Sequence, residues 1–148
     1  MRPSQSAFGR RFAVRALGGV AAAVLLGTPR AAFAGSYLDR AGLLVREARS
    51  EADYLEYRLD NKELAELIHK LAAARLAFAR DMLIPKEVTQ AHPHLLLMLE
   101  NCERAADAGE AGERTRFVIY QRRARDEEQM FRSIMRQLGF PLEDEKKK

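Results

Sequence analysis

Residues 38–59 read LDRAGLLVREARSEADYLEYRL, and this stretch decides the fold because it predicts a long amphipathic helix. Apolar side chains recur at steps of three and four residues, which is the period of one face of an α-helix. Charged side chains fill most positions between them, so a single stripe is available for packing against other helices. The stripe consists of Leu38, Ala41, Val45, Ala48, Ala52, Leu55 and Leu59.

The same period predicts three further helices downstream. Asp60 is the expected N-cap of the second helix, which must end before Pro85 because proline disfavours helix in the preceding residue. Pro93 suits the first position of the third helix, and Gly109 is expected to end it. The fourth helix extends over residues 113–138. The predicted stripes are Leu64, Leu67, Leu71, Ala74 and Phe78 on the second helix, flanked by Ile68 and Met82, then Leu95, Met98 or Leu99, Cys102 and Ala105 on the third, and Phe117, Tyr120, Ala124, Glu127, Phe131, Ile134 and Leu138 on the fourth.

These stripes predict an all-α fold, an antiparallel up-down-up-down four-helix bundle over residues 35–138. A lone helix of this length is marginally stable in water, so the four stripes must pack against one another. The links between the helices are short, which favours antiparallel neighbours. No segment alternates apolar and polar residues with the period of a strand, and residues 139–148 form a charged C-terminal tail.

Residues 1–34 have the features of a cleavable export signal. Arg10 and Arg11 precede an apolar stretch at residues 16–26, which is too short to span a bilayer. The A-x-A pattern of residues 32–34 places the cleavage site before Gly35. The arginine pair is compatible with twin-arginine export, and general secretion is the alternative. Either route places the mature chain in the bacterial periplasm or outside the cell, with no stable membrane span after cleavage.

Charge and cysteine content exclude several classes of protein. The chain has 25 Lys and Arg against 21 Asp and Glu, a net charge of +4. Five of the arginines lie in the acid-free first 34 residues, so the mature part has 20 basic and 21 acidic residues, a net charge of −1. A basic nucleic-acid-binding domain is therefore not expected. The single cysteine excludes a disulfide within the chain.

Two features predict a metal site. Glu127 occupies a stripe position on the fourth helix, where a carboxylate is costly unless it is paired or bound to a metal. His92 and His94 flank Pro93, and folding back about the 109–112 turn places residue 127 near the level of residue 94. A set of His92, His94 and Glu127, or Glu128 in its place, would suit zinc or copper. The alternative is that Glu127 bonds a polar neighbour and both histidines lie at the rim.

Other candidate motifs are weaker. Glu66 and His69 match half of a di-iron motif, but the fourth helix has no histidine, and both residues fall outside the predicted stripe. We expect them on the outer surface, with Glu66 paired to Lys70. Cys102 is expected to be a small core residue. Because no nucleophile–base pair or phosphate-binding loop is recognisable, the sequence does not predict an enzyme.

The predicted helix arrangement resembles that of periplasmic four-helix cytochromes of the b-type and c-prime families. Residues 94–138, which form the third helix, the turn and the fourth helix, are similar to the corresponding part of those proteins in length and layout. The b-type family holds haem with a Met early in the first helix and a His late in the fourth. Residues 37–59 contain no Met, and the fourth helix contains no His. The resemblance thus implies the fold and argues against haem as a cofactor.

An apolar surplus on the fourth helix predicts a partner-binding surface. Val118 and Ile119 point away from the stripe, and Arg116 and Arg122 border them. This pattern favours docking of another protein or of a second copy, whereas Leu96 and Leu97 on the third helix are expected to be covered. We therefore predict an exported, non-catalytic bundle that binds a protein partner, with a small metal-binding bundle as the alternative.

Overall fold

The computed structural model describes the backbone of residues 29–142 and the side chains from Ser36 onward. Its helices are α1 (Pro29–Glu56), α2 (Lys62–Arg80), α3 (His92–Glu110) and α4 (Arg114–Gln137), and a 3₁₀ turn (Lys86–Val88) lies between α2 and α3. No strand occurs in this described part, so the predicted all-α class with four helices is confirmed. Among the described helices, none is long and apolar enough to cross a membrane.

The ends of the chain bear on the predicted export signal. Residues 1–28, with the arginine pair and the apolar stretch, and residues 143–148 of the tail lie outside the described residues. The predicted cleavage site before Gly35 falls within α1, whose helical backbone begins at Pro29. Cleavage there would shorten α1 and keep all of its described side chains.

Helix α3 is the centre of the structure. It packs most extensively against α4 and α2, and it also contacts α1, whereas the contact between α1 and α4 is small. At one end Tyr37 of α1 bonds His92 of α3, and at the other end α1 approaches Gly109. A Cβ atom at Gly109 would lie 3.2 Å from a methyl group of Leu59 and 3.3 Å from one of Leu55. The missing side chain therefore lets the two helices come close together.

The predicted stripes of α1 and α3 are confirmed. On α1, Ala41, Val45 and Leu55 are fully buried, and the outermost members of the stripe are partly buried. On α3, Leu95 and Cys102 are buried as predicted. Both helices contribute to one apolar core with α2 and α4.

The stripe predicted for α2 is wrong by one residue, a rotation of about 100°. Leu67, Leu71 and Phe78 are 54%, 39% and 50% exposed. The buried face instead consists of Ala65, Ile68, Ala72, Leu76 and Ala79. Nearly every side of α2 is apolar, so its period alone allows two stripes. The small side chains at 65, 72 and 79 recur once per heptad and let α2 lie close to α3, and this close packing decides the rotation.

The stripe predicted for α4 needs a smaller correction. Phe117, Ala124 and Phe131 are buried as predicted, but Gln121 and Glu128 are buried with them. The predicted members Tyr120, Glu127, Ile134 and Leu138 are only partly buried. Helix α4 is therefore turned so that two polar side chains face its neighbours.

Helix ends also differ in detail from the prediction. Asn61, not Asp60, caps α2, because its side-chain oxygen accepts the backbone N–H of Leu64 at 2.9 Å. Helix α3 continues past Gly109, and the chain reverses at Gly112, whose φ of +74° favours glycine. Gly139 has a φ of +82° and follows α4 as predicted.

The rotation of α2 can be tested by adding bulk on two adjacent alanines. Ala72→Leu overfills the buried face and is expected to lower the free energy of unfolding by about 1–3 kcal/mol. Ala73→Leu, on the exposed side of the same helix, is expected to change it by less than about 0.5 kcal/mol. Urea unfolding of both variants gives the comparison, and equal losses would contradict this rotation.

Candidate functional site

Three segments of the chain meet at the start of α3. The Tyr37 hydroxyl of α1 lies 3.0 Å from Nδ1 of His92, and both side chains are buried. His92 also bonds the backbone of Ala79 at the end of α2. Burial lowers the pKa of His92 and raises the pKa of Tyr37 well above its usual value. These surroundings favour the neutral imidazole, which can accept the Tyr37 hydroxyl at Nδ1 and turn its other ring nitrogen to the Ala79 backbone.

His94 has a different neighbour from His92. Its Nδ1 atom lies 2.7 Å from the Glu127 carboxylate of α4, and the two side chains are 30% and 29% exposed. Pro93 stands in the first turn of α3, so the two flanking imidazoles leave the helix in different directions. The predicted juxtaposition of residues 94 and 127 is present, and the pair lies at the rim between α3 and α4.

The structure thus brings two of the three predicted metal ligands together. His94 and Glu127 are in contact, whereas His92 is turned toward Tyr37. Within the part of the chain that the structure describes, no group of three His, Cys, Asp or Glu side chains is placed to hold a metal ion. Binding of zinc or copper at this rim stays a prediction.

The buried carboxylate of α4 is Glu128, and not Glu127, which the predicted stripe contains. Its side chain is 5% exposed, and one oxygen accepts a hydrogen bond from Nε of Arg132 at 2.8 Å. Arg49 of α1 approaches the same oxygen to 3.4 Å. These guanidinium groups compensate a charge whose burial would otherwise cost several kcal/mol. One sequence signal identifies Glu128 as buried, namely the heptad spacing of positions 117, 121, 124, 128, 131 and 135.

Glu128 belongs to a polar seam where α1 and α4 face each other. Buried Gln121 donates to Glu56 at 3.0 Å, and Arg125 donates to Asp53 at 2.9 Å. Ion pairs and hydrogen bonds therefore replace apolar packing along this interface, which is much smaller than those of α3 with α2 and α4. The polar seam consists of Arg49, Asp53, Glu56, Gln121, Arg125, Glu128 and Arg132.

Cys102 lines two small crevices of about 10 Å³ each, one beneath the polar seam and one among α1, α2 and α3. Its side chain is buried, as predicted. Burial raises the pKa of the thiol to about 12, so the reactive thiolate is not populated at neutral pH. The crevices are about the size of one water molecule. This region is a packed interior with no room for a substrate.

His69 lies between α2 and α3 and not on the outer surface as predicted. Its two ring nitrogens face Glu110 at 2.7 Å and Glu103 at 3.4 Å. The hydrogen bond with Glu110 raises the pKa of His69, and Asp107 adds a further attraction. The rotation of α2 explains the difference, because it turns position 69 toward α3. The predicted surface pair of Glu66 and Lys70 is present at 2.5 Å.

The residues predicted to bind a partner lie on the outer α4 face, which we define by Arg114, Thr115, Val118, Ile119, Arg122 and Arg123. Val118 and Ile119 are 37% and 46% exposed. The long side chains around them form a shallow groove, which is lined by three arginines and by one acidic residue, Asp126. Arg116 borders this face and is bonded to Glu113 at 2.8 Å. The surface therefore combines two aliphatic side chains with a cationic rim.

The expected covering of α3 is only partly correct. Leu96 packs against the core, but Leu97 is 42% exposed. Apart from Pro93, the neighbouring solvent-accessible positions on α3 are polar, so Leu97 is the one exposed aliphatic side chain among the described residues of that helix.

Over residues 29–142, the fold and these contacts define an all-α arrangement of four helices with a polar seam and charged rims. Comparison with protein-family models, with curated proteins and with solved structures found no match to this chain. Its function must therefore be argued from its own residues.

The two interior histidines are expected to affect stability in opposite directions around pH 6.5, their ordinary pKa. The fold favours protonated His69, so its contribution is complete below pH 6.5 and is lost as the pH rises through the raised pKa. The fold favours neutral His92, so its contribution is complete above pH 6.5 and is lost as the pH falls through the lowered pKa.

Urea unfolding at about pH 5 and about pH 8 separates these effects. His69→Gln should cost more stability at the acidic pH, and His92→Gln should cost more at the alkaline pH. A loss independent of pH in either variant would contradict the protonation state assigned to that histidine.

Proposed function

We propose that this chain is an exported bacterial protein that works in the periplasm by binding another protein, without catalysis. The leader over residues 1–34 supports export. The contacts of Tyr37 with His92 and of His94 with Glu127 support an up-down-up-down bundle in which α4 runs antiparallel to α3. A buried, protonated thiol and a fully bonded His92 support binding as the activity rather than nucleophilic catalysis.

The observation that carries this proposal is the outer α4 face. Val118 and Ile119 remain exposed although the helix has a complete buried stripe on its opposite side. Aliphatic side chains surrounded by arginines match a partner that presents an apolar contact within an acidic surface. Arginine suits such a rim because its planar group binds carboxylates through two hydrogen bonds. We therefore assign the partner as a protein with an acidic docking surface.

Photo-crosslinking in the producing bacterium tests this surface. A photoreactive amino acid at position 119 is expected to form an adduct with a single protein, whereas the same residue at Leu97 is not. The two positions are matched in exposure, at 46% and 42%. Arg122→Glu should lower the adduct yield by about 10-fold, and added salt should weaken it further, because exposed charge pairs are screened.

The adduct also reports on export. It should be recovered from the periplasmic fraction, and N-terminal sequencing should find the chain beginning at Gly35. Adducts at both positions, or at neither, would contradict the proposed surface. An adduct that retains the leader and stays in the cytoplasm would contradict export.

Metal binding at the rim between α3 and α4 is a second candidate function, and the 2.7 Å contact of His94 with Glu127 is the observation that favours it. An imidazole and a carboxylate are ligands of zinc and copper, and the pair is partly open to solvent. His92 would join as a third ligand only by giving up its bond to Tyr37.

Calorimetric titration of the full chain with Zn²⁺ tests this candidate. If the pair holds the metal, His94→Ala and Glu127→Ala should each weaken zinc binding by about 100-fold, because each variant removes one of the two ligands. His69→Ala, at a histidine outside the rim, is the control and should bind as the parent protein does. Equal heats from the parent protein and His94→Ala would exclude a metal site at this pair.

A further inference from the structure

The predicted cleavage site lies inside a regular helix. Helix α1 begins at Pro29, so its first turns contain the A-x-A pattern of residues 32–34 and the peptide bond between Ala34 and Gly35. Within an α-helix each backbone N–H is bonded to the carbonyl group four residues before it. The main chain around the site therefore forms hydrogen bonds with itself and is not free to bond an enzyme.

The A-x-A pattern can be read only in an extended chain. In a strand, residues 32 and 34 point to the same side, whereas in a helix they point about 200° apart. An enzyme that recognises two small side chains two residues apart must bind the segment as a strand, with hydrogen bonds to its main chain. Cleavage before Gly35 therefore requires the first turns of α1 to unwind.

Tyr37 holds the chain three residues after Ala34. Its side chain is fully buried, and its hydroxyl lies 3.0 Å from Nδ1 of His92 on α3. Three residues span at most about 10 Å even when they are fully extended. While Tyr37 is docked, the bond between Ala34 and Gly35 therefore stays close to the bundle, where an active-site cleft cannot enclose the residues on both sides of it.

Ser36, the second residue after the scissile bond, is also held. The Arg40 guanidinium group donates to the Ser36 carbonyl at 3.1 Å and to its hydroxyl oxygen at 2.9 Å. Ala41, which lies one turn after Tyr37, is fully buried. Extension of residues 35 and 36 must therefore break the bonds to Arg40 next to a part of α1 that is fixed in the core.

Only the start of α1 has to open for cleavage. The polar seam between α1 and α4 begins at Arg49, about three turns beyond Tyr37. Opening of a helix end costs less free energy than unfolding of the whole domain. The contact of Tyr37 with His92 therefore determines whether the site is accessible in a chain that is otherwise folded.

We propose that docking of Tyr37 against His92 closes the peptide bond before Gly35 to signal peptidase, so that the leader is removed before the start of α1 docks. The reaction is a hydrolysis: water adds across the bond between Ala34 and Gly35, the carboxylate remains on the leader, and the new amino group belongs to the mature chain. This regulation rests on the proposed export and adds an order of events to it, with cleavage first and docking of α1 second.

Cleavage by a purified bacterial signal peptidase tests this order. The full chain, leader included, should be cleaved about 100-fold more slowly than a synthetic peptide of residues 10–45, because proteolysis of a folded chain follows the population of its open state. The peptide contains the apolar stretch and the site but lacks His92 and the rest of the bundle. Equal rates for the two substrates would overturn the proposal.

A substitution far from the site along the chain tests the contact itself. His92→Ala should speed cleavage of the full chain by about 10-fold, because the buried Tyr37 hydroxyl loses its partner. His69→Ala is the matched control, since it also removes a histidine between two helices but does not touch Tyr37. It should leave the rate unchanged, and equal rates for His92→Ala and the parent chain, or equal acceleration by both variants, would contradict the closing role of this contact.

Tyr37→Phe covers the case in which His92→Ala unfolds. It keeps the buried ring and removes only the hydroxyl group, so it should stay folded by circular dichroism and speed cleavage by about 3-fold. The same change in the peptide of residues 10–45 should not alter the rate. An equal acceleration in the peptide would overturn the proposal, because the enzyme would then be reading residue 37 directly.

The peptide also separates this proposal from the proposed export. If the peptide is not cleaved before Gly35, the assignment of the leader fails and the order of events fails with it. If the peptide and the full chain are cleaved equally fast at that bond, the proposed export stands and only the closure by Tyr37 is overturned.

Discussion

The structure depends on the burial of α3. This helix carries apolar or small side chains on most of its circumference, and Leu95, Leu99, Cys102 and Ala106 are all buried. A helix of that kind cannot stay in water, so α1, α2 and α4 are each held against it by the same driving force. Its closest neighbours are α2 and α4, and α1 approaches it most closely where Gly109 removes a side chain.

Because α3 takes most of the apolar packing, the contact between α1 and α4 is left to polar groups. Glu128 is buried between Arg132 and Arg49, and Gln121 bonds Glu56. A paired buried charge adds little net stability, but removing one partner is costly, so these contacts fix the rotation of α4 more than they strengthen the bundle. The polar seam thus sets the rotation of α4 against α1, and the stability of the fold comes from the apolar core.

Two outward surfaces remain, and they differ in chemistry. The exposed apolar side chains of α2, Leu67, Leu71 and Phe78, lie on one side of that helix. The outer α4 face places two aliphatic side chains inside an arginine rim, which suits an acidic partner better than a second copy of itself.

The sequence by itself determined the number of helices, the stripes of α1 and α3, and the juxtaposition of His94 with Glu127. These follow from period, proline and glycine positions, and helix length, all of which act locally. Only the tertiary structure decided the rotation of α2, the burial of Glu128 and the turn of His92 toward Tyr37. The physical reason is that a helix with apolar side chains on several sides contains more than one apolar stripe with helical spacing. Its sequence alone therefore does not choose which stripe is buried. The choice depends on how closely small residues such as Ala65 and Ala72 let it approach a neighbour, and that distance is a property of two helices together.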